Sequence, residues 1–297
     1  MKKRLIAIVF VLIAAFGVLC YGSRYRRQKT PAVSVVMLTY QRAEMLPQAI
    51  ESILSQTFSD FEFIIINDGS SDDTDEVVAH YNDSRIRYYR NDRNRGIAFS
   101  RNRAASLARG KYIMIMDDDD RSFPERMSGQ VSYLEQHSDI AAVAGQIAGL
   151  PRIPQNHDEI AAGLIQYNNF GNANVMYRRS FAAKHGIRYD EELKASEDWD
   201  FWLKILFAGG KFAALPDDVL ARNGASTKYY GISYEEANTA VRKKIGKAFL
   251  PEKTDAFYAA DSCGKLKLIS EKNIFSPAFM QKLFDINCPA AASPAVR

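Results

Sequence analysis

The chain has 297 residues, enough for one large domain or two small ones, and its 47% hydrophobic and 25% charged residues can bury a substantial core. A net charge of +4, concentrated near the N-terminus, gives no argument for a nucleic-acid partner. Three cysteines (Cys20, Cys263, Cys288) are odd in number and widely spaced, and the four histidines lack metal-ligand spacing. The cysteines imply neither a disulfide framework nor a zinc site, and of the histidines only His157 is a candidate for more than a solvated or structural role.

In chain order, Leu5–Cys20 is an unbroken apolar run between Lys2-Lys3-Arg4 and the basic stretch Arg24–Lys29. At about sixteen to eighteen residues it is at the short end for a transmembrane helix. A secretory signal is the competitor, but no clean small-x-small site precedes the basic stretch, and Leu19 spoils a lipoprotein site at Cys20. We therefore expect an uncleaved single-pass anchor within residues 1–30. Basic residues nearly tie across it. The Arg24–Lys29 cluster suits an anionic membrane surface, which favours a cytoplasmic position for the domain that follows.

Val33–Leu38 reads as a first strand and Glu44–Gln56 as a helix, with apolar Leu46, Ile50, Ile53 and Leu54 at helical spacing. Phe61–Ile66 is a second strand, Asp72–Tyr81 a short helix with an acidic first turn, and Arg87–Tyr89 a weaker third strand. Ile97–Ala108 is a helix closed by Gly110. Tyr112–Met116 is apolar without alternation, as for a strand buried on both faces, and is followed by Asp117, Asp118, Asp119 and Asp120. A helix over Phe123–His137 follows, with Ser122 its candidate cap. Beyond it come a strand at Ile140–Val143, a Pro-rich loop at Gly149–His157 and a strand at Ala173–Tyr177. A helix at Ser196–Phe207 is capped by Ser196, with short strands at Phe212–Leu215 and Val219–Ala221 and a helix at Ser233–Phe249 after it. Strand–helix alternation with short turns is the pattern of a doubly wound, mostly parallel α/β sheet, and its polar turns fall on the carboxyl edge where ligands bind.

Three separated acidic elements need an explanation: Asp68 and Asp117–Asp120, on that edge, and Glu197-Asp198 at a helix start. Packed carboxylates repel, and a hard divalent cation relieves the repulsion while leaving coordination positions for phosphates. Asp68-Gly69 also fits a plain turn, and Glu197-Asp198 also fits favourable charges at a helix start. A carboxylate at that helix start is suited to act as a general base, kept ionised by the helix dipole.

Taken together, the motifs resemble family-2 glycosyltransferases with a GT-A fold. The resemblance is carried by Ser34–Arg42, Ile66–Thr74, Asn94-Arg95-Gly96, Ser100-Arg101-Asn102, Gly110-Lys111-Tyr112, Asp117–Asp120 and Ser196–Trp199, in the family's order over about Val33–Phe207. It implies that Thr39, Tyr40 and Arg42 line the nucleotide pocket and that Asp68 binds the base, usually uracil, with Arg101 and Asn102 nearby. Within Asp117-Asp118-Asp119, Asp117 is expected at the ribose or sugar and Asp119 at the metal, with Asp120 assisting and Asp118 most tolerant of replacement. Asp198 matches the catalytic base, with Glu197 the alternative. The implied chemistry is inverting transfer of a single sugar from a nucleotide-sugar, with UDP the expected carrier and Mn²⁺ or Mg²⁺ the cofactor. The implied acceptor is a glycan or lipid-linked hydroxyl, in cell-envelope polysaccharide synthesis. The domains expected are an anchor over 1–30, the transferase over 31–230 and a helical extension over 231–297. One departure is Asn223, which stands about where many relatives carry a histidine that supports metal or diphosphate. That change keeps open a second reading, a catalytically impaired nucleotide-sugar-binding protein of the same fold.

Overall fold

The computed structural model describes residues 30–222, 238–241, 260–270 and 275–288. The expected anchor, Asn223 and most of the helix expected at 233–249 lie outside them. Among the described residues no helix is long and apolar enough to cross a membrane.

Eight strands form one sheet: β1 (Val33–Thr39), β2 (Phe61–Asn67), β3 (Ile86–Arg90), β4 (Tyr112–Asp117), β5 (Asp120–Ser122), β6 (Ile140–Ile147), β7 (Val175–Arg178) and β8 (Lys211–Arg222). Their order is β3-β2-β1-β4-β7-β6-β8-β5. The β1–β2, β1–β4, β2–β3 and β6–β8 pairs are parallel; β4–β7, β6–β7 and β5–β8 are antiparallel. The helices are α1 (Leu46–Leu54), α2 (Thr74–Ala79), α3 (Ile97–Leu107), α4 (Arg126–Gln136), α5 (His157–Gln166), α6 (Arg179–Lys184), α7 (Glu197–Phe207), α8 (Ser262–Ser270) and α9 (Pro277–Asn287).

The central strands are mostly apolar because both faces are covered, the buried Ser34–Glu62 hydrogen bond being an exception, and successive residues point to opposite layers. Val35, Phe63 and Met114 enter a layer closed by Leu46, Ile50 and Ile53 of α1 and Met127 and Leu134 of α4. Val36, Ile64 and Ile115 enter the other, closed by Ala98 and Ala104 of α3, Ile160 and Leu164 of α5, and Trp199 and Trp202 of α7. Leu38 pairs with Asp117 and Thr39 with Asn67, so Tyr40, Asp68 and Asp118 leave the sheet at the same level.

Several local expectations are corrected. Ser122 lies in β5, where its backbone N–H donates to Ser52 Oγ, and α4 starts later, without a side-chain cap. Ser196 does not cap α7; it takes a left-handed conformation (φ 58°) and donates its hydroxyl to Asn238. Gly110 is not the cap of α3, which ends at Leu107; a Cβ there would lie 2.5 Å from Ser34 N, so the glycine permits close approach to β1. The two short strands near Pro216 are one irregular strand, β8. Cys263 and Cys288 form a disulfide, contrary to the cysteine arithmetic. The start of α8 and the end of α9 meet at a Cα separation of 5.6 Å, a proximity that sequence spacing does not encode. His157 is structural: its ring stacks near Phe212 and Phe279, and Nδ1 accepts from Phe212 N at 3.2 Å. Lys282 pairs with Asp158 at 2.5 Å, joining α9 to α5.

Candidate active site

Asp117, Asp119 and Asp120 each present an oxygen within 4.8 Å of the others at the carboxyl edge of β4. The tight run from β4 into β5 makes this possible, because β5 pairs with β8 immediately after the turn and folds Asp120 back toward Asp117. Oxygen ligands at this spacing suit a hard divalent cation.

The four acids do not stand unbalanced. Arg42 donates from Nη1 to Asp118 Oδ1 and Asp119 Oδ2, both at 2.9 Å. Arg101 Nη2 lies 3.8 Å from Asp117. Arg222 faces Asp120 across the β5–β8 pair, and its charge acts on both Asp117 and Asp120. Arg126 lies buried beneath, donating to Ile115 O at 2.7 Å, and burial pulls its pKa down to about 9 against the pull of Asp120 and Asp117. Repulsion among the acids is thus relieved partly by the chain itself, and the case for a cation rests on the geometry of the three carboxylates.

Burial outweighs these cations at two positions. Asp118 is pushed up to about 7 by burial against the opposing charge of Arg42. Asp120 rises to about 7 through burial and the neighbouring Asp117 and Asp119. Burial also raises Asp117, although 39% of its side chain remains open to solvent and Arg101 counters the push, so its perturbation carries less weight. Asp118 Oδ2 and Thr39 Oγ1 are buried without a hydrogen bond of good geometry. Asp118 shares Arg42, whose side chain is 30% exposed, with Asp119, while burial disfavours its own charge.

Asp68 is the hub of a neighbouring loop cluster. Its carboxylate accepts from Arg95 N at 3.0 Å, Gly96 N at 2.9 Å, Ser100 Oγ at 3.0 Å and Asn91 Nδ2. Gly69 (φ 80°) makes this possible, since a Cβ there would sit 2.5 Å from Arg93 C. Tyr40, half-buried, leads into Gln41, which also has a left-handed backbone (φ 56°) and donates from its N–H to Ser70 Oγ at 3.0 Å. Asn102 stands apart from the other expected nucleotide residues. Its amide brackets the 189–191 segment, donating to Tyr189 O at 2.9 Å and Glu191 at 2.8 Å and accepting from Tyr189 N at 2.9 Å.

Arg101 connects the acidic edge to the start of α7. It donates to Glu197 Oε1 in a buried ion pair, and both side chains are only 6% exposed. Asp198 takes a different environment: Oδ1 accepts from Trp199 N at 2.8 Å and Oδ2 from Asn168 Nδ2 at 2.9 Å. Burial raises both Glu197 and Asp198, with Arg101 the main opposing influence. Desolvation therefore adds basicity to Asp198 beyond the dipole-based expectation. Arg126 and Asn168 are not apparent from sequence, because each reaches the site from an element with no motif of its own, while Arg222 stands next to the departure at Asn223 without being singled out.

Comparison with known proteins agrees with this geometry. A family model described as glycosyl transferase family 2 matches residues 34–189. An uncharacterized glycosyltransferase of Methanocaldococcus jannaschii is 34% identical over 204 residues, covering 64% of this chain and 70% of the relative. The Escherichia coli UDP-Glc:alpha-D-GlcNAc-diphosphoundecaprenol beta-1,3-glucosyltransferase WfaP is 30% identical over 187 residues, covering 60% of this chain and 72% of the relative. Among solved structures, the mannosyltransferase PcManGT of Pyrobaculum calidifontis, in complex with GDP-Man and Mn²⁺, superposes with a TM-score of 0.56 at 18% identity, covering 97% of this chain and 88% of that one.

Proposed function

The chain belongs to glycosyl transferase family 2, and from that premise we propose that it moves a single sugar, with inversion, from a UDP-sugar to a hydroxyl of a glycan or lipid-linked acceptor. The observation that carries the reading is the pairing of the Asp117–Asp119–Asp120 carboxylates with Asp198 through Arg101, which is electrostatically coupled to both. A relative whose name specifies UDP-Glc and a diphosphoundecaprenol acceptor supports the donor and the acceptor class.

The donor set fits a cation: three carboxylates within 4.8 Å, all oxygen ligands. Asp117, Asp119 and Asp120 would hold Mn²⁺ or Mg²⁺, which when bound neutralises diphosphate charge as the bond to the sugar breaks. Thr39, Tyr40, Arg42 and Asp68 ring the nucleotide side. Asp198 accepts the proton of the acceptor hydroxyl; the hydroxyl oxygen bonds to the anomeric carbon from the face opposite the diphosphate, and the nucleoside diphosphate leaves with the bonding pair. Glu197, held by Arg101, is assigned to anchoring that arginine instead of proton transfer. One displacement needs no enzyme nucleophile.

A screen of UDP-, GDP- and dTDP-sugars with Mn²⁺, reading released nucleoside diphosphate, tests the reaction. Asp198→Asn should lower kcat by roughly 10²–10⁴-fold while UDP binding persists. Transfer at the wild-type rate by that variant would remove the base assignment, and activity surviving EDTA would remove the cation. The apolar run at 5–20 is the proposed membrane anchor. Protease protection in sealed vesicles tests both it and the cytoplasmic placement suggested by the basic cluster, against which the Cys263–Cys288 disulfide stands.

A further inference from the structure

We propose that the turn Tyr167–Asn172, between α5 and β7, is the subsite for the acceptor sugar. The inference rests on the transferase reading above and deepens it by naming the residues that meet the acceptor.

The turn is mounted on the helix that carries Asp198. Trp199 Nε1 donates to Leu164 O at 2.7 Å, just before the turn, and Trp202 Nε1 donates to Gly171 O at 2.6 Å, within it. Asn168 donates to Asp198 Oδ2 at 2.9 Å while its own Oδ1 accepts from Phe170 N at 3.4 Å, so both ends of its amide are fixed. One oxygen of the base is therefore oriented by the turn itself, which makes Asn168 a positioning residue.

Asn172 supplies the independent sign of a ligand. It is only 7% exposed, yet neither its Nδ2 nor its Oδ1 has a hydrogen-bond partner. Each buried group left unpaired is unfavourable and is rarely retained without a use. A carboxamide offers one donor face and one acceptor face, which matches neighbouring hydroxyls on a sugar ring. Of the buried side-chain polar atoms without a partner among the described residues, four lie on Asn169, Asn172 and Asn174. β7 runs antiparallel to β4, with Met176 opposite Met114, so the chain before β7 runs toward the Asp117 end of β4.

The third element is apolar. Tyr167 is 54% exposed, one of three large hydrophobic side chains so exposed among the described residues. This exposed ring directly precedes Asn168, the side chain hydrogen-bonded to the base, and offers a flat face to the C–H face of a pyranose. A ring to stack on, an amide for hydroxyls and a fixed base together describe recognition of a saccharide.

The test uses the full chain with UDP-glucose, Mn²⁺ and a panel of p-nitrophenyl glycosides as acceptor probes, with UDP affinity by calorimetry to verify folding of each variant. Tyr167→Ala and Asn172→Ala should each raise acceptor KM at least tenfold with donor KM within twofold of wild type, and Tyr167→Phe should restore acceptor KM. Asn168→Ala should lower kcat about 100-fold with little change in acceptor KM and should move the acidic limb of the pH–rate profile, which a merely structural role would not do. Acceptor KM unchanged in both Tyr167→Ala and Asn172→Ala, or a rise confined to donor KM, overturns the subsite. Absence of any nucleotide-sugar turnover by the wild type overturns the transferase reading instead, and the subsite with it.

Discussion

Replacing Arg101 by methionine tests the link between the acidic edge and α7. In the wild type its guanidinium is buried against Glu197, lies 3.8 Å from Asp117, and sits 5.4 Å from the ring centroid of Tyr189. Breaking a buried pair by removing one partner costs about 3–5 kcal/mol, because the other charge is stranded. Glu197 is already raised by burial, so without Arg101 it takes up a proton at neutral pH, and the cost falls toward the low end, about 3 kcal/mol. For a domain of this size that is a fall in Tm of roughly 6–12 °C. Above neutrality Glu197 is forced to ionise and the cost grows; at pH 6 it shrinks. Urea unfolding followed by tryptophan fluorescence reports it directly, since Trp199 and Trp202 are buried on α7. In the double variant Arg101→Met/Glu197→Gln no charge is stranded, so its cost should fall short of the sum of the single costs by at least about 2 kcal/mol. Strict additivity of the two substitutions, or a cost below about 1 kcal/mol for Arg101→Met alone, refutes the reasoning.

Three further outcomes follow from the same geometry. Asp118 and Asp120, at about 7 in the fold against an ordinary 3.8, bind protons in the native state that the unfolded chain has already lost; stability should therefore fall as pH rises from about 4 through 7. A cation competes with those protons, so the rise in Tm on adding 1 mM MnCl₂ to the protein with UDP present should be larger at pH 8 than at pH 6, and an equal rise at both would count against the triad. Reduction of Cys263–Cys288, which are 25 residues apart, should cost about 3–4 kcal/mol on the loop-entropy estimate; differential alkylation with mass spectrometry checks that both thiols appear only after reductant. Asn102→Ala removes three hydrogen bonds to the 189–191 segment and should cost roughly 1–3 kcal/mol in urea unfolding. Donor KM should stay within a few-fold, since a tenfold rise would return Asn102 to the nucleotide pocket.

What the sequence made legible was local. The parallel strands β1, β2 and β4 are largely apolar runs, and the acids stand at the ends of β2 and β4, where strand direction alone puts them on one edge. α5 gives no sequence signal because Ile160–Ile165 is buried on every side, so no apolar stripe marks it as a helix. β8 reads as two strands because Pro216-Asp217-Asp218 interrupts its apolar pattern, and the sheet accommodates them as an irregularity against β6. α8 and α9 fall within the helical extension expected over 231–297, although no local pattern marks their individual bounds. Arg126 and Asn168 belong to the site only through the fold, Arg126 beneath β4 and Asn168 against α7, which no local pattern encodes. Ser196 shows the converse failure: its residue type suggests a cap, but tertiary contact with Asn238 holds it in a left-handed turn.

The balance of charge at the site bears on the order of binding. The sequence presents four consecutive acids and suggests a strong cation trap. The fold answers them with Arg42, Arg101, Arg126 and Arg222, so much of the negative potential is already neutralised before any ligand arrives. Under the proposed reading, a cation alone meets an edge with little net charge to attract it, and the diphosphate of the donor supplies the missing negative charge and oxygen ligands. Arg42 can then exchange one anion for another, since its guanidinium already bridges Asp118 and Asp119 and a diphosphate offers the same geometry. Donor and cation should therefore bind as a pair, each weakly without the other. Under that reading the arginines, as much as the acids, set how tightly the edge holds a cation.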